Sequence, residues 1–116
     1  MNDAPAYTQF FGDKERDFRL TTELVSELER LTGQGIGGLS RRLMAGDFHL
    51  ATLHHVIRLG LIGGGTPAQE AQALLAAYTP SLPVLHQYAL AMGIIEILMM
   101  GPQTAEIPAA SSEATE

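Results

Sequence analysis

Residues 57–72, IRLGLIGGGTPAQEAQ, hold the densest candidate chemistry in the chain: Gly63, Gly64 and Gly65 in a row, with Gly60 just upstream. Glycine-rich loops cradle phosphates because their backbone N–H groups can approach an anion closely. A P-loop, however, ends in lysine followed by serine or threonine, and a dinucleotide-binding turn follows a buried strand with Gly-x-Gly-x-x-Gly spacing. Here Thr66 follows Gly65 with no lysine, and residues 50–62 have helical periodicity. Thr66 stands where an N-cap belongs, Pro67 at the first helical position and Gln69 three residues after the cap, the pattern of a capping box. The run therefore reads as a sharp structural turn: Gly63, Gly64 and Gly65 release one helix, and Thr66 and Pro67 start the next.

The other candidates are thinner. His54 and His55 are neighbours, about 100° apart on a helix, and His49 and His86 supply no third ligand at metal spacing. Glu23 and Glu27 form an i, i+4 like-charge pair, the pattern of a solvated face. Ser26 and Ser40 have no histidine at a triad-like offset. Arg41, Arg42 and Arg58 fit an outer helical face paired with Glu27, Glu29 or Asp47. The chain has no cysteine, which excludes disulfides, thiolate nucleophiles and cysteine zinc sites and favours a reducing cytoplasm. No catalytic, cofactor or metal site emerges, and the expectation is a protein that is not an enzyme.

Composition narrows the partners. With 116 residues and 46% hydrophobic content the chain fits one small domain with a real core. A net charge of -6 and a pI near 5.1 argue against nucleic acid and against anionic membranes. The N-terminus lacks the basic and apolar regions of a signal peptide. The most apolar window, residues 89–100, contains Glu96 and is shorter than the roughly 20 residues a bilayer span requires.

The elements that must position any site are mainly α (α+β), in one domain over residues 6–101. Residues 1–5 read as a flexible N-terminus. Residues 6–20 predict a β-hairpin: AYTQFF, a turn at Gly12-Asp13-Lys14, then ERDFRL with Phe18 and Leu20 on one face. A hairpin alone is marginal in water, so it must pack on helices. Five short helices follow, over about 22–32, 36–45, 50–61, 67–78 and 84–100. Thr21 or Thr22 caps the first, Gly33 ends it, and Leu24, Leu28 and Leu31 form its apolar stripe. Ile36, Leu39 and Leu43 share a face of the second. Residues 79–83, TPSLP, break the chain before the last helix. Residues 102–116 are small, proline-containing and acidic, the composition of a disordered tail.

The last helix is apolar nearly all round, from Leu85 to Met100. Such a helix is buried on most sides or covered by a partner. Either it forms a central core or it offers a face for a partner or a second copy, in a homo-oligomer. Methionines at 92, 99 and 100 favour adaptable contact. The candidate partner-binding residues are Leu85, Tyr88, Met92, Ile95 and Met99, with Ile36, Leu39 and Leu43.

In combination, FFGDKERDFRL, ELERLTGQGIGGLSRRLMAGDFHL, VIRLGLIGGGTPAQEAQ and an apolar helix ending in MMG resemble the small tail protein of gene transfer agents and related tailed phages, over about residues 10–101. That family is described both as a tail assembly chaperone and as a tail tube protein. The resemblance implies a non-enzymatic morphogenesis factor. A chaperone of this kind holds the long tape-measure protein soluble and recruits tail tube subunits around it; the alternative is a structural component of the tube, and a third reading, from the histidines, is a small metal-binding or regulatory protein. One hairpin and five helices fit the chaperone better, because tube subunits stack through large sheets.

Overall fold

The structure, a computed structural model, describes residues 4–101; the expected tail at 102–116 and positions 1–3 of the expected flexible N-terminus lie outside them. Strands β1 (Tyr7–Phe11) and β2 (Lys14–Phe18) form an antiparallel hairpin. Helices α1 (Thr22–Thr32), α2 (Ile36–Met44), α3 (Leu50–Gly63), α4 (Ala68–Tyr78) and α5 (Val84–Met100) follow, with a 3-10 turn at Thr79–Ser81 between α4 and α5. Element types and order are those expected, and the helix ends differ from the expected ones by two residues at most.

The hairpin closes through a two-residue turn, Gly12-Asp13, with Phe11 opposite Lys14. Gly12 has φ +76°, and a Cβ there would lie 2.6 Å from the Tyr78 ring, so glycine is required both by the turn and by the packing. Phe11 and Phe18 bury on one face of the hairpin, their rings edge to face at 6.2 Å, while Thr8, Phe10, Glu15 and Asp17 point outward. Fully burying a phenylalanine stabilises by about 2–3 kcal/mol, which helps fasten the marginal hairpin to the helices.

Helix α3 is the axis of the core. It packs against α1, α4, α5 and β2, and Leu53, Val56, Ile57, Leu59 and Leu61 are buried along it. Thr21 caps α1 by accepting from the Leu24 N–H at 3.3 Å, and Gly33 ends it at φ +71°. Helix α2 begins after Gly35, which has no side chain to cap with; the Glu29 carboxylate of α1 accepts the Ile36 N–H at 2.8 Å instead.

The glycine run has two functions. It ends α3 in a Schellman motif: Thr66 N–H donates to Leu61 O at 2.9 Å and Gly65 N–H to Ile62 O at 3.1 Å, with Gly65 at φ +112°. It also seats the exit of β2. A Cβ on Gly63 would clash with the Arg19 carbonyl, and one on Gly64 with the Asp17 carbonyl. Arg19 N–H donates to Gly60 O at 2.9 Å, and its guanidinium reaches Gly63 O at 3.3 Å. The capping box is corrected by the structure. The N-cap of α4 is Pro67, no side chain caps the helix, and Thr66 belongs to the end of α3, because its N–H closes the Schellman motif.

Gly64→Ala should cost about 3 kcal/mol or more, near the upper end for a point substitution, because backbone must move. Gly33→Ala, where a Cβ meets nothing within 4 Å and only the positive φ is unfavourable, should cost about 1–2 kcal/mol. Chemical denaturation of both variants checks the contrast; equal losses would remove the seat from the account.

Candidate partner-binding surface

Helix α5 divides its apolar circumference in two. Gln87, Leu90, Ala91, Ile94 and Ile95 are buried against the rest of the fold. On the opposite side, Leu85 is 74% exposed, Met100 61% and Met99 46%, with Ala89 and Glu96 exposed and Met92 half-buried. Leu85, Ala89, Met92, Glu96 and Met99 are spaced four, three, four and three residues apart, the spacing of a two-helix seam. Met44, at the end of α2, is also exposed.

The eight candidate contact residues separate accordingly. Leu85 and Met99 are on the open face, and Met92, Tyr88 and Ile36 are half-buried. Leu39, Leu43 and Ile95 are 1–2% exposed and belong to the core; the face of α2 that carries Leu39 and Leu43 is turned inward, so these three are not surface contacts. Tyr88 works within the fold: its ring stacks on Phe48 at 4.8 Å and its hydroxyl donates to the Leu43 carbonyl.

Gln87 carries a positioning role that the sequence did not disclose. It is buried, its amide donates to Leu82 O at 2.9 Å and Thr79 O at 3.3 Å, and its Oε1 meets His54 Nε2 at 2.8 Å. It thereby ties the 79–83 connection and α5 to α3. Its only sequence signal was a polar residue inside an apolar run.

The remaining chemistry is accounted for locally. The N–H groups of Gly64, Gly65 and Thr66 all bond to α3 carbonyls, so none points toward an anion. Glu27 pairs with Arg30, whose hydrogen bonds hold its carboxyl below the usual carboxylate range. Among the described residues no three His, Asp or Glu side chains are grouped to hold a metal, and no helix is long and apolar enough to cross a membrane.

The family model described as "Phage tail tube protein, GTA-gp10" matches residues 4–101. The chain belongs to this gene transfer agent gp10 family of phage tail proteins. No curated protein and no solved structure matched it. The match spans all the described residues, so the glycine seat, the hairpin and the α5 seam all lie within the gp10 domain.

His55 is half-buried on α3 beside Arg58 and His54. Burial first, then those two neighbours, push its pKa below the usual 6.5. Folded His55 therefore resists a proton that the unfolded chain accepts as pH drops through about 6.5, and its contribution to stability, full above that value, is lost on acidification. His55→Gln should flatten the fall in stability between pH 7 and 5; denaturation profiles of unchanged slope would contradict this.

Proposed function

We propose that this member of the family is a non-enzymatic tail assembly chaperone, which holds the tape-measure protein in the host cytoplasm and recruits tube subunits around it. The observation that carries this reading is the α5 seam, in which Leu85, Ala89, Glu96 and Met99 are exposed and Met92 is half-buried. An amphipathic helix is the natural occupant of a seam with this spacing, read as anchors at every third or fourth residue. Methionines let the same face accept successive segments of a long helical client without a fixed pattern of knobs. Glu96 in the middle of the seam selects clients with a polar or basic residue at that position.

The second reading, a structural component of the tail, has in its favour that the family is described as a phage tail tube protein. Against it, the described residues contain a single two-stranded sheet. Mass spectrometry of purified particles separates the two: a chaperone is absent from finished tails, whereas a tube component is present stoichiometrically.

Co-expression tests the seam itself. The chaperone reading expects the tape-measure protein to gain solubility and co-purify with the wild-type chain. Leu85→Glu combined with Met99→Glu should weaken that capture more than about tenfold, or 1.4 kcal/mol, with unchanged thermal stability because both side chains are exposed. Full capture by the double variant would remove α5 as the contact.

A further inference from the structure

We propose that β1 is a self-association edge, pairing antiparallel with β1 of a second copy about a two-fold axis at Gln9. The two-residue turn makes Phe11–Lys14, Gln9–Arg16 and Tyr7–Phe18 the hydrogen-bonded pairs of the hairpin. The N–H and C=O groups of Thr8 and Phe10 therefore point away from β2, and no backbone bond within the described residues uses them. This edge has none of the usual protection: YTQFF contains no charge, no proline and no bulge, and Phe10 is 64% exposed.

Charge selects this edge and a second copy as its occupant. Strand β2, KERDF, carries four charged side chains in five residues, so pairing along it would bring like charges close together. A groove of about 400 Å³ runs along β1 and the first half of α5, lined among others by Gln9, Phe10, Tyr78, Leu82, His86 and Ala89. No carboxylate, lysine or arginine lines it, so two chains of net charge -6 can meet there without opposed like charges. The edge is also self-complementary. With the axis at Gln9, Thr8 of one copy lies opposite Phe10 of the other, and each such pair exchanges both backbone bonds through the outward groups. The two Phe10 rings become diagonal neighbours within aromatic reach, and the hairpins merge into one four-stranded sheet in place of a marginal two-stranded one.

The chain has no cysteine, which makes the test clean. Gln9 would face its counterpart across the axis at a non-hydrogen-bonded site, where Cα atoms are about 4.5 Å apart, within disulfide range. Gln9→Cys is expected to oxidise almost completely to a disulfide-linked dimer, while Glu15→Cys, exposed on the outer face of β2, is not. Light scattering should show a wild-type dimer and a Phe10→Lys monomer of the same circular dichroism, with the dimer melting higher and at a temperature that rises with concentration. Equal cross-linking of the Glu15→Cys control, a Phe10→Lys variant that remains dimeric, or a wild-type monomer up to about 1 mM would overturn the proposal. A wild-type monomer that instead binds a foreign extended segment through the Phe10 edge would overturn it as well and assign the groove to a heterologous strand. Ala89 borders both this groove and the α5 seam, but the two tests alter different residues, Gln9 and Phe10 here and Leu85 and Met99 there, so either reading can fail alone.

Discussion

The constraint on which the fold depends is the approach of the β2 exit to the end of α3. The carbonyls of Asp17 and Arg19 would clash with Cβ atoms on Gly64 and Gly63, and Arg19 is bonded to Gly60 and Gly63. Only glycine permits this distance. Because the strand leaves β2 so close to α3, Phe18 packs fully buried beside Gly60 and Ile94, and the hairpin is fastened to both α3 and α5. A second glycine contact completes the attachment: a Cβ on Gly93 would overlap the Tyr7 ring, which lies across α5 at that point.

That attachment decides which part of α5 remains open. The hairpin, α2 and α3 all pack against α5, yet their combined width leaves uncovered the line from Leu85 to Met99. A domain of this size can cover one side of such a helix, and exposed apolar residues lined up with helical spacing, here Leu85, Ala89 and Met99 with Glu96 among them, mark an interaction surface. Gln87, buried and fully bonded, fixes the rotation of the helix, so the stripe is held in one orientation. A rigid presentation of adaptable methionines suits a protein that works by contact, as expected of a member of a phage tail family.

Much of this was legible in the sequence. Periodicity located every helix, and Thr21, Gly33 and the Thr79 to Pro83 segment marked their ends because caps and prolines act locally. The function of Gly63, Gly64 and Gly65 as a helix terminator was legible for the same reason. Their packing against Asp17 and Arg19 was not, because it joins residues more than forty positions apart. The capping box at Thr66 misled because two local signals compete for one residue: its N–H closes α3, which leaves Pro67 as the cap of α4. The candidate surface was legible only in part. The apolar helix was evident, but the side left open depends on where α2 and the hairpin land. Hence Leu39, Leu43 and Ile95 proved buried while Leu85 and Met99 did not.

If a helical tail partner covers the α5 seam, the chain's own methionines report on it directly. Methyl NMR of methionine-labelled protein, titrated with a soluble helical fragment of the tape-measure protein, places probes on the seam at Met92 and Met99 and beside it at Met100. These three signals are expected to shift or broaden saturably as the fragment is added. A fragment that binds while all three signals stay fixed, or one that does not bind at all, would contradict it.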